Sequence, residues 1–258
     1  MKKYLITAII SAYSFLVFAQ NMGIDQPSPT EKLDVNGWIQ LGNQSSGSTG
    51  TTGAIRYNTI GSLEFFDGTN WVAVGLPSVK FTNWGRPDCP ATSSLVYTGT
   101  VGGSSHDQSG SGFNTLCLSR TPNFVDFNDA NHNGALIYGL EYEIGGYGVS
   151  NLGGVAASSF QDREAECAVC IATATTMLMV PGTVVCPSGW TQQYWGYLMS
   201  VHYSQWSTEF VCVHNSATLY GSTSNSNGDL WYPVEAEICA LRAPYIANRE
   251  LTCSVCTK

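Results

Sequence analysis

The cysteines constrain the fold of this chain more than any other feature, because they fall into two matching sets. All nine lie at or after Cys89. Two pairs of segments share one offset of 97 residues: Cys89-Pro90 with Cys186-Pro187, and Tyr97-Thr-Gly99 with Tyr194-Trp-Gly196. A shared offset at these positions indicates an internal duplication of the cysteine-rich region.

Three further blocks extend the match. They are Leu116-Cys-Leu118 with Val211-Cys-Val213, Gly134–Glu143 with Gly228–Glu237, and Cys167-x-x-Cys170 with Cys253-x-x-Cys256. Each half thus holds four cysteines, and Cys239 is left over. We predict an all-β fold with two tandem, disulfide-stapled β subdomains at about 79–172 and 173–258. Four cysteines allow three connectivities in each half, and spacing alone does not choose among them.

The N-terminus predicts export. Lys2 and Lys3 precede an apolar run that ends at Phe18, and Ala19 closes a signal-peptidase site, so residues 1–19 are expected to be a signal peptide. No later run is long and apolar enough to cross a bilayer. We therefore expect a secreted or cell-surface protein without a membrane span in its mature chain, and cysteines that form disulfides.

Charge and composition narrow the function further. Asp and Glu outnumber Lys and Arg by 19 to 11, which gives a net charge of −8. An acidic surface without a Lys/Arg cluster repels phosphate backbones, so nucleic-acid binding is excluded. Only 12% of residues are charged and 12% are aromatic, a composition typical of exported β-rich proteins.

Residues 20–78 contain no cysteine and are predicted to form a β stalk. Short apolar runs alternate with Gly, Asn and Asp, and Asp67-Gly-Thr-Asn70 lies between two such runs as a hairpin signal. A segment with so few apolar residues makes a poor independent core. We therefore expect it to self-associate.

This segment resembles the stalk and tail-fibre-like repeats of bacterial surface proteins. The resemblance is carried by Gly23–Gly37, Gly53-Ala-Ile-Arg-Tyr-Asn58 and Phe66-Asp-Gly-Thr-Asn-Trp71. In that family such segments trimerise through interleaved strands. The resemblance therefore implies a homotrimer.

Residues 81–258 resemble the C-terminal non-collagenous domain of type IV collagen, and more closely the spongin-like short-chain collagen C4 proteins. The motifs are Trp84-Gly-Arg-x-x-Cys-Pro90, Leu95-Val-Tyr-x-Gly99, Leu116-Cys-Leu118, Ile137-Tyr-Gly-x-Glu-Tyr142, Cys167-Ala-Val-Cys170, Cys186-Pro-x-Gly-Trp190, Gly196-Tyr-Leu-Met199 and Cys253-x-Val-Cys-Thr-Lys258. No Gly-x-y repeats precede them, so a β stalk stands where those proteins have a collagen helix.

The resemblance implies a set of disulfides, with the crossed pairing in each half as the alternative. The implied bonds are Cys89–Cys170, Cys117–Cys167, Cys186–Cys256 and Cys212–Cys253. The short-chain family has a further cysteine near Leu241-Arg-Ala-Pro244, where this chain has none. Cys239 is therefore expected to be unpaired, as a buried thiol rather than an intermolecular link.

Metal and redox chemistry find little support in the sequence. A redox role for Cys167-x-x-Cys170 would need a helix N-terminus to activate the thiol, and export together with the matching cysteines argues against zinc. Asp129, Asn131 and Asn133 fit the start of a calcium loop. The closing Glu is misplaced, so an Asx-rich turn is the preferred interpretation, and we predict no cofactor.

No enzyme motif is present, and we assign no catalytic residue. The chain lacks Gly-x-Ser-x-Gly and His-Glu-x-x-His. Two glutamate pairs recur in the duplicated segments, Glu141/Glu143 and Glu235/Glu237, and are expected to share one structural role. The expected function is homotrimer assembly with recognition of a matrix or cell-surface partner.

The alternative function is a lectin-like, glycan-binding head on a trimeric stalk. Aromatic side chains suit sugar faces, and the candidate ligand residues are Trp195, Tyr197, Tyr203 and Trp206. A core or interface role for these aromatics is the more common one. Tyr194 in particular repeats Tyr97 and is expected to be structural.

Overall fold

The computed structural model describes residues 22–24, 33–35, 39, 41, 43–44, 50–58, 62–75, 77–130, 132, 134–237 and 241–258. The predicted signal peptide, Asn131, Asn133 and Cys239 lie outside these residues. The described chain is all-β, with one short 3₁₀ helix at Ala157–Ser159. Its contacts divide it between Gly75 and Leu76 into two compact units.

The first unit contains two small sheets. Strands β1 (Met22–Ile24) and β2 (Leu33–Val35) pair in parallel. A second sheet has the order β3 (Asn43–Gln44), β4 (Ile55–Asn58), β5 (Leu63–Phe66) and β6 (Trp71–Ala73).

The predicted hairpin at residues 67–70 is confirmed, because it joins the antiparallel strands β5 and β6. The Asp67 carboxylate accepts hydrogen bonds from the backbone N–H groups of Thr69 and Asn70, both at 2.7 Å. These bonds also hold the pKa of Asp67 below its usual value. An aspartate that caps its own turn in this way fixes the hairpin locally.

The second unit is built around one large sheet. Its strands and one small hairpin are, in chain order, β7 (Ser78–Trp84), β8 (Ser93–Gly103), β9 (Leu116–Ser119), β10 (Tyr138–Tyr142), β11 (Asn151–Leu152), β12 (Val155–Ala156), β13 (Glu166–Thr173), β14 (Met177–Pro181), β15 (Thr191–Ser200), β16 (Val211–His214), β17 (Asp229–Pro233) and β18 (Thr252–Thr257). The order in the sheet is β14-β18-β15-β16-β7-β13-β8-β10-β17, with β9 on β8. Since β17 also pairs with β15, seven of these strands close into a ring.

Four disulfides staple this sheet: Cys89–Cys170, Cys117–Cys167, Cys186–Cys256 and Cys212–Cys253. These are the four pairs that the resemblance to the collagen domain implies. Residues three apart on a strand face opposite sides of a sheet. Each Cys-x-x-Cys strand therefore sends one sulfur to either side and bonds two different partners.

The repeated Tyr-x-Gly motif follows from the way a disulfide crosses a strand. Strand β8 lies between β9 and β13, so the Cys117–Cys167 bond passes over Gly99. A Cβ at Gly99 would lie 2.6 Å from one sulfur and 3.0 Å from the other. Tyr97 donates a hydrogen bond from its hydroxyl to the Cys117 carbonyl at 2.8 Å. The motif thus holds the crossing in place.

Gly99→Ala is expected to lower the free energy of unfolding by about 3 kcal/mol, because its methyl group would overlap the disulfide and the Leu118 carbonyl oxygen at 2.5 Å. Gly139→Ala on neighbouring β10 is the matched control, since nothing lies within 4 Å of its Cβ position. Urea unfolding of both variants measures the difference. Equal stabilities would show that the crossing tolerates a methyl group.

Several contacts of the segments 79–172 and 173–258 correspond to one another, while the duplication itself stays a prediction from the sequence. The bridge Glu141↔Glu164 has a counterpart in Glu235↔Glu250. β13 on β8 and β18 on β15 each carry one register shift. The second tyrosine, Tyr194, places its hydroxyl 2.9 Å from the Cys212 carbonyl oxygen, as Tyr97 does with Cys117. Tyr194 is also buried, as expected of a structural residue.

Two clusters of buried side chains form the core of the second unit. One contains Val101, Leu140, Tyr142, Phe160 and Trp231, and the other contains Phe81, Ala168, Tyr194, Leu198 and Val255. The Cys167 side chain belongs to the first cluster and the Cys170 side chain to the second. The Cys117–Cys167 bond therefore packs in the first cluster and the Cys89–Cys170 bond in the second.

Candidate functional site

A cavity of about 1100 Å³ opens in the second unit and is the larger of two candidate ligand sites there. It is lined by the end of β15, the end of β17 and parts of the segment 201–210. Its aromatic wall contains Tyr147, His202, Tyr203 and Tyr232. The ring centroids of Tyr147 and Tyr232 are 5.0 Å apart, and those of His202 and Tyr203 are 4.3 Å apart.

Local hydrogen bonds hold part of this wall. The His202 backbone N–H donates to the Gln205 side-chain oxygen at 3.0 Å, and the His202 ring nitrogen Nδ1 lies 2.9 Å from the Ser204 hydroxyl. Burial and the nearby Glu143 carboxylate raise the pKa of the Tyr232 hydroxyl to about 12. The tyrosine is therefore a neutral hydrogen-bonding group at physiological pH.

The charged side chains that line the cavity are acidic. Glu209, Glu235 and Glu237 line it, and the described lining residues include neither Lys nor Arg. Burial raises the pKa of the Glu209 carboxyl, while a hydrogen bond from the Thr115 backbone N–H at 2.6 Å opposes the shift. Glu235 and Glu237 are exposed to solvent. The cavity thus has a negative, aromatic lining.

One buried side-chain oxygen of a lining residue has no hydrogen-bond partner in the described part of the chain. It is Oγ1 of Thr208, a residue that is 7% exposed. An unpaired buried hydroxyl costs free energy. Because this oxygen is closed to solvent, it is not an accessible hydrogen-bonding position of the cavity.

Asp229 is a buried acidic residue outside the lining of the cavity. Its side chain is fully buried, and Oδ1 accepts a hydrogen bond from the Leu230 backbone N–H at 2.9 Å. Among the described residues, none bonds to Oδ2. Burial raises the pKa of Asp229 to about 7, and the nearby Glu209 charge adds to that rise.

The structure separates the four predicted ligand residues. Tyr203 lines the cavity, whereas Trp206 lines a smaller recess of about 260 Å³. Trp195 and Tyr197 lie on β15 with ring centroids 6.3 Å apart and are half-buried away from both. Sequence reasoning missed Tyr147 and Tyr232, which lie far from Tyr203 along the chain. The repeated blocks did point to this region, because Gly228–Glu237 contains Tyr232 and Gly134–Glu143 ends four residues before Tyr147.

The two repeated glutamate pairs differ in role, contrary to the sequence expectation. Glu141 is buried and accepts hydrogen bonds from the backbone N–H groups of Ser226 and Asn227 at 3.1–3.2 Å. Glu143 is also buried and accepts a hydrogen bond from the Gln161 amide. Glu235 and Glu237 instead face the cavity. Equivalent backbone positions thus carry different side-chain environments.

Of the three calcium candidates, Asp129 lies on an exposed stretch, while Asn131 and Asn133 are outside the described residues. Within the described ranges, no group of three or more His, Cys, Asp and Glu side chains is close enough to hold a metal ion. That part of the chain also contains no helix of the length and apolar character needed to cross a bilayer.

The first unit presents an apolar sheet face to solvent. We call this the apolar face, and its residues are Ile55, Tyr57, Leu63, Phe65, Val72 and Val74, each 38–59% exposed. Ile55, Phe65 and Val72 lie side by side across three strands. The face is continuous across the sheet.

The opposite face of that sheet combines polar and aromatic side chains. The Arg56 guanidinium donates to the Glu64 carboxylate at 2.7 Å and lies 4.0 Å from the Trp71 ring centroid. The Phe66 and Trp71 ring centroids are 5.3 Å apart. The ion pair also lowers the pKa of Glu64. This mixed face is the more buried side of the sheet, and the apolar face is the more exposed side.

No family model matches the chain. The four disulfides are typical of proteins that fold in an oxidising environment such as the extracellular space. Two features thus stand out as candidates for function: the apolar face of the first unit and the aromatic, acidic cavity of the second.

Proposed function

We propose that this chain is an exported structural and adhesive protein that assembles as a homotrimer and recognises a matrix or cell-surface partner. The observation that carries the proposal is the apolar face of the first unit. The predicted signal peptide and the disulfides support export. The resemblance to the collagen domain, with its implied disulfide pairs, supports a role in extracellular assembly.

A second copy of the chain is the occupant that best fits the apolar face. Among its described residues, this face has no charged side chain that would select a charged partner. A four-stranded sheet of two- to four-residue strands is too small to be stable alone. Identical apolar faces complement one another in a closed symmetric oligomer. The resemblance to trimeric stalks favours three copies.

The second unit also offers apolar surface for contact. Phe124, Val125 and Phe127 lie together in sequence and are 74%, 96% and 68% exposed. The rings of Phe124 and Phe127 are 6.3 Å apart. A contiguous exposed apolar patch marks an interaction site more often than an isolated exposed residue does. This segment supports participation of the second unit in assembly or recognition.

The variant Phe65→Glu/Val72→Glu tests assembly, because these cross-strand neighbours lie on the apolar face. We expect it to shift the mature protein from trimer towards monomer, since burying two carboxylates in an apolar interface costs several kcal/mol. Light scattering measures the mass. Thr69→Glu, in the exposed turn, is the control and should remain trimeric.

Two results would count against this proposal. A monomeric wild-type chain would rule out self-assembly, and an unchanged mass for the double variant would show that the apolar face is not the interface. Because the second unit has the larger sheet, circular dichroism would report mainly on that unit. Amide hydrogen exchange of β4 to β6 in both variants therefore establishes whether the strands of the first unit are retained.

Glycan recognition by the second unit is the alternative, and the exposure of the Tyr203 ring in the cavity favours it. Tyrosine rings stack on sugar faces, and the cavity carboxylates accept hydrogen bonds from sugar hydroxyls. A glycan array separates the two functions. Sugars should compete for a lectin site, whereas trimer formation should not depend on them.

A further inference from the structure

We propose that the cavity of the second unit binds an alkylammonium cation, such as the side chain of a lysine. The inference names the chemistry of recognition and rests on the proposed binding role of the second unit. It is argued from the aromatic wall, the charge of the lining and the volume of the cavity.

The aromatic wall supplies faces and edges around the cavity. Tyr147 and Tyr232 pack edge to face with an interplanar angle of 86°, and the His202 ring lies 5.1 Å from Tyr232. Tyr203 extends the wall and is 93% exposed, so its ring is free to contact a ligand. Aromatic walls of this kind bind ammonium groups through the negative potential of the ring face.

The charge of the lining selects the sign of the ligand. Three carboxylates, Glu209, Glu235 and Glu237, face the cavity without a lysine or arginine among the described lining residues. Behind the tyrosines, the buried Glu143 carboxyl lies close enough to influence the pKa of Tyr232. A phosphate, a sulfate or an acidic sugar would meet repulsion from this lining, whereas a cation would be attracted.

The exposed carboxylates supply the hydrogen-bond acceptors of the lining. Glu235 and Glu237 line the cavity and are exposed to solvent. An ammonium group has three N–H donors and no acceptor, and an ionised carboxylate only accepts. These side chains can therefore satisfy an ammonium group, which they could not do for an anion.

The cavity has room for more of the ligand than its ammonium group. About 1100 Å³ exceeds the space that a single ammonium group fills, and Phe113, Phe210 and Val234 add apolar surface to the lining. A lysine side chain fits this combination, because its methylene stem packs on apolar surface while its head reaches the carboxylates. A free alkylamine carries the same chemistry.

Saturation-transfer NMR with the full mature chain tests the inference with three probes. n-Butylammonium provides the cation, butan-1-ol is its neutral isostere, and a capped peptide with one lysine represents a polypeptide source. We expect n-butylammonium to bind and butan-1-ol to bind at least tenfold more weakly. Tighter binding of the peptide would identify a partner protein as the source, and equal affinity would identify free amines.

Matched variants locate the site. Glu237→Gln and Tyr203→Leu should each weaken n-butylammonium binding about three- to tenfold. Asp67→Asn, in the first unit, removes the same charge and retains an oxygen for its turn, so it should have no effect. Equal binding of butan-1-ol and n-butylammonium, or an unchanged affinity in both site variants, would overturn the inference.

Competition by neutral sugars for the same probe would also overturn it in favour of a glycan site. Light scattering on the same samples separates this failure from failure of the proposed assembly. A trimer that does not bind n-butylammonium would refute the cation site alone. A monomeric wild-type chain would refute the assembly proposal, whatever its ligand.

Discussion

Replacing both Cys89 and Cys170 by alanine is expected to lower the free energy of unfolding by about 4 kcal/mol. The bond joins residues 81 positions apart and therefore removes a large amount of conformational entropy from the unfolded chain. Cys170 is fully buried and packs in the second core cluster, so the loss of its sulfur adds a packing cost. Urea unfolding with the other disulfides intact measures the change.

The Cys212→Ala/Cys253→Ala variant is the internal comparison. Its bond spans 41 positions. The retained bond of the same half already shortens the loop that each removed bond closes, to about 30 residues in both cases, so the two entropic losses should be nearly equal. The size of either loss tests the role of the bonds. Unfolding midpoints that match the wild type would show that the sheet does not depend on these disulfides.

Asp229→Asn is expected to remove a large part of the pH dependence of stability. The carboxyl has a pKa of about 7 in the folded chain, against an ordinary value of 3.8. The folded state therefore holds a proton that the unfolded state releases, and stability falls as the pH rises from about 4 to about 7. That fall amounts to about 4 kcal/mol, and no further loss follows above the folded pKa.

Asparagine resembles the protonated acid in shape and stays neutral, so the variant should match the wild type near pH 4 and exceed its stability at pH 8. Asp107→Asn should change the pH dependence of stability in the opposite direction. The Ser105 hydroxyl donates to the Asp107 carboxylate at 2.6 Å and lowers its pKa. Asp107 thus stabilises the fold above its unfolded pKa, and its loss should weaken the protein at pH 8. Parallel stability curves for Asp229→Asn and wild type would contradict a buried neutral acid.

The sequence predicted those parts of the fold that depend on local patterns. Cys117 and Cys212, each flanked by apolar residues in matching blocks, lie on strands of the large sheet. The Asp67 turn was readable because its hydrogen bonds reach only two and three residues ahead. The disulfide pairs followed from a resemblance. Sequence spacing had left three possibilities in each half.

The cavity was not predictable in the same way, because its wall comes from segments that meet only in the folded sheet. Tyr147 and Tyr232 are far apart in sequence and become neighbours because β10 pairs with β17 in parallel. The sequence instead favoured aromatic residues that lie close together along the chain. Of those, Trp195 and Tyr197 lie on one strand and line neither the cavity nor the recess.

The exposed side of the first-unit sheet was also outside the reach of the sequence. Alternation along β4 and β5 predicts two different faces but does not say which one is covered. The structure shows the Arg56–Glu64 pair on the covered side, with the Trp71 ring against the guanidinium. An apolar stripe on a short strand is normally assigned to the core. Here the apolar face is exposed to solvent.

The ring of strands in the second unit also constrains how the protein is made. Strand β7 lies between β13 and β16, and strand β17 joins β10 to β15, so each sequence half borders the other at two places. Until the two halves pair, the first half therefore has bare strand edges. Bare edges can pair with other chains. The step before closure of the ring is consequently the one in which this chain is most open to association with its neighbours.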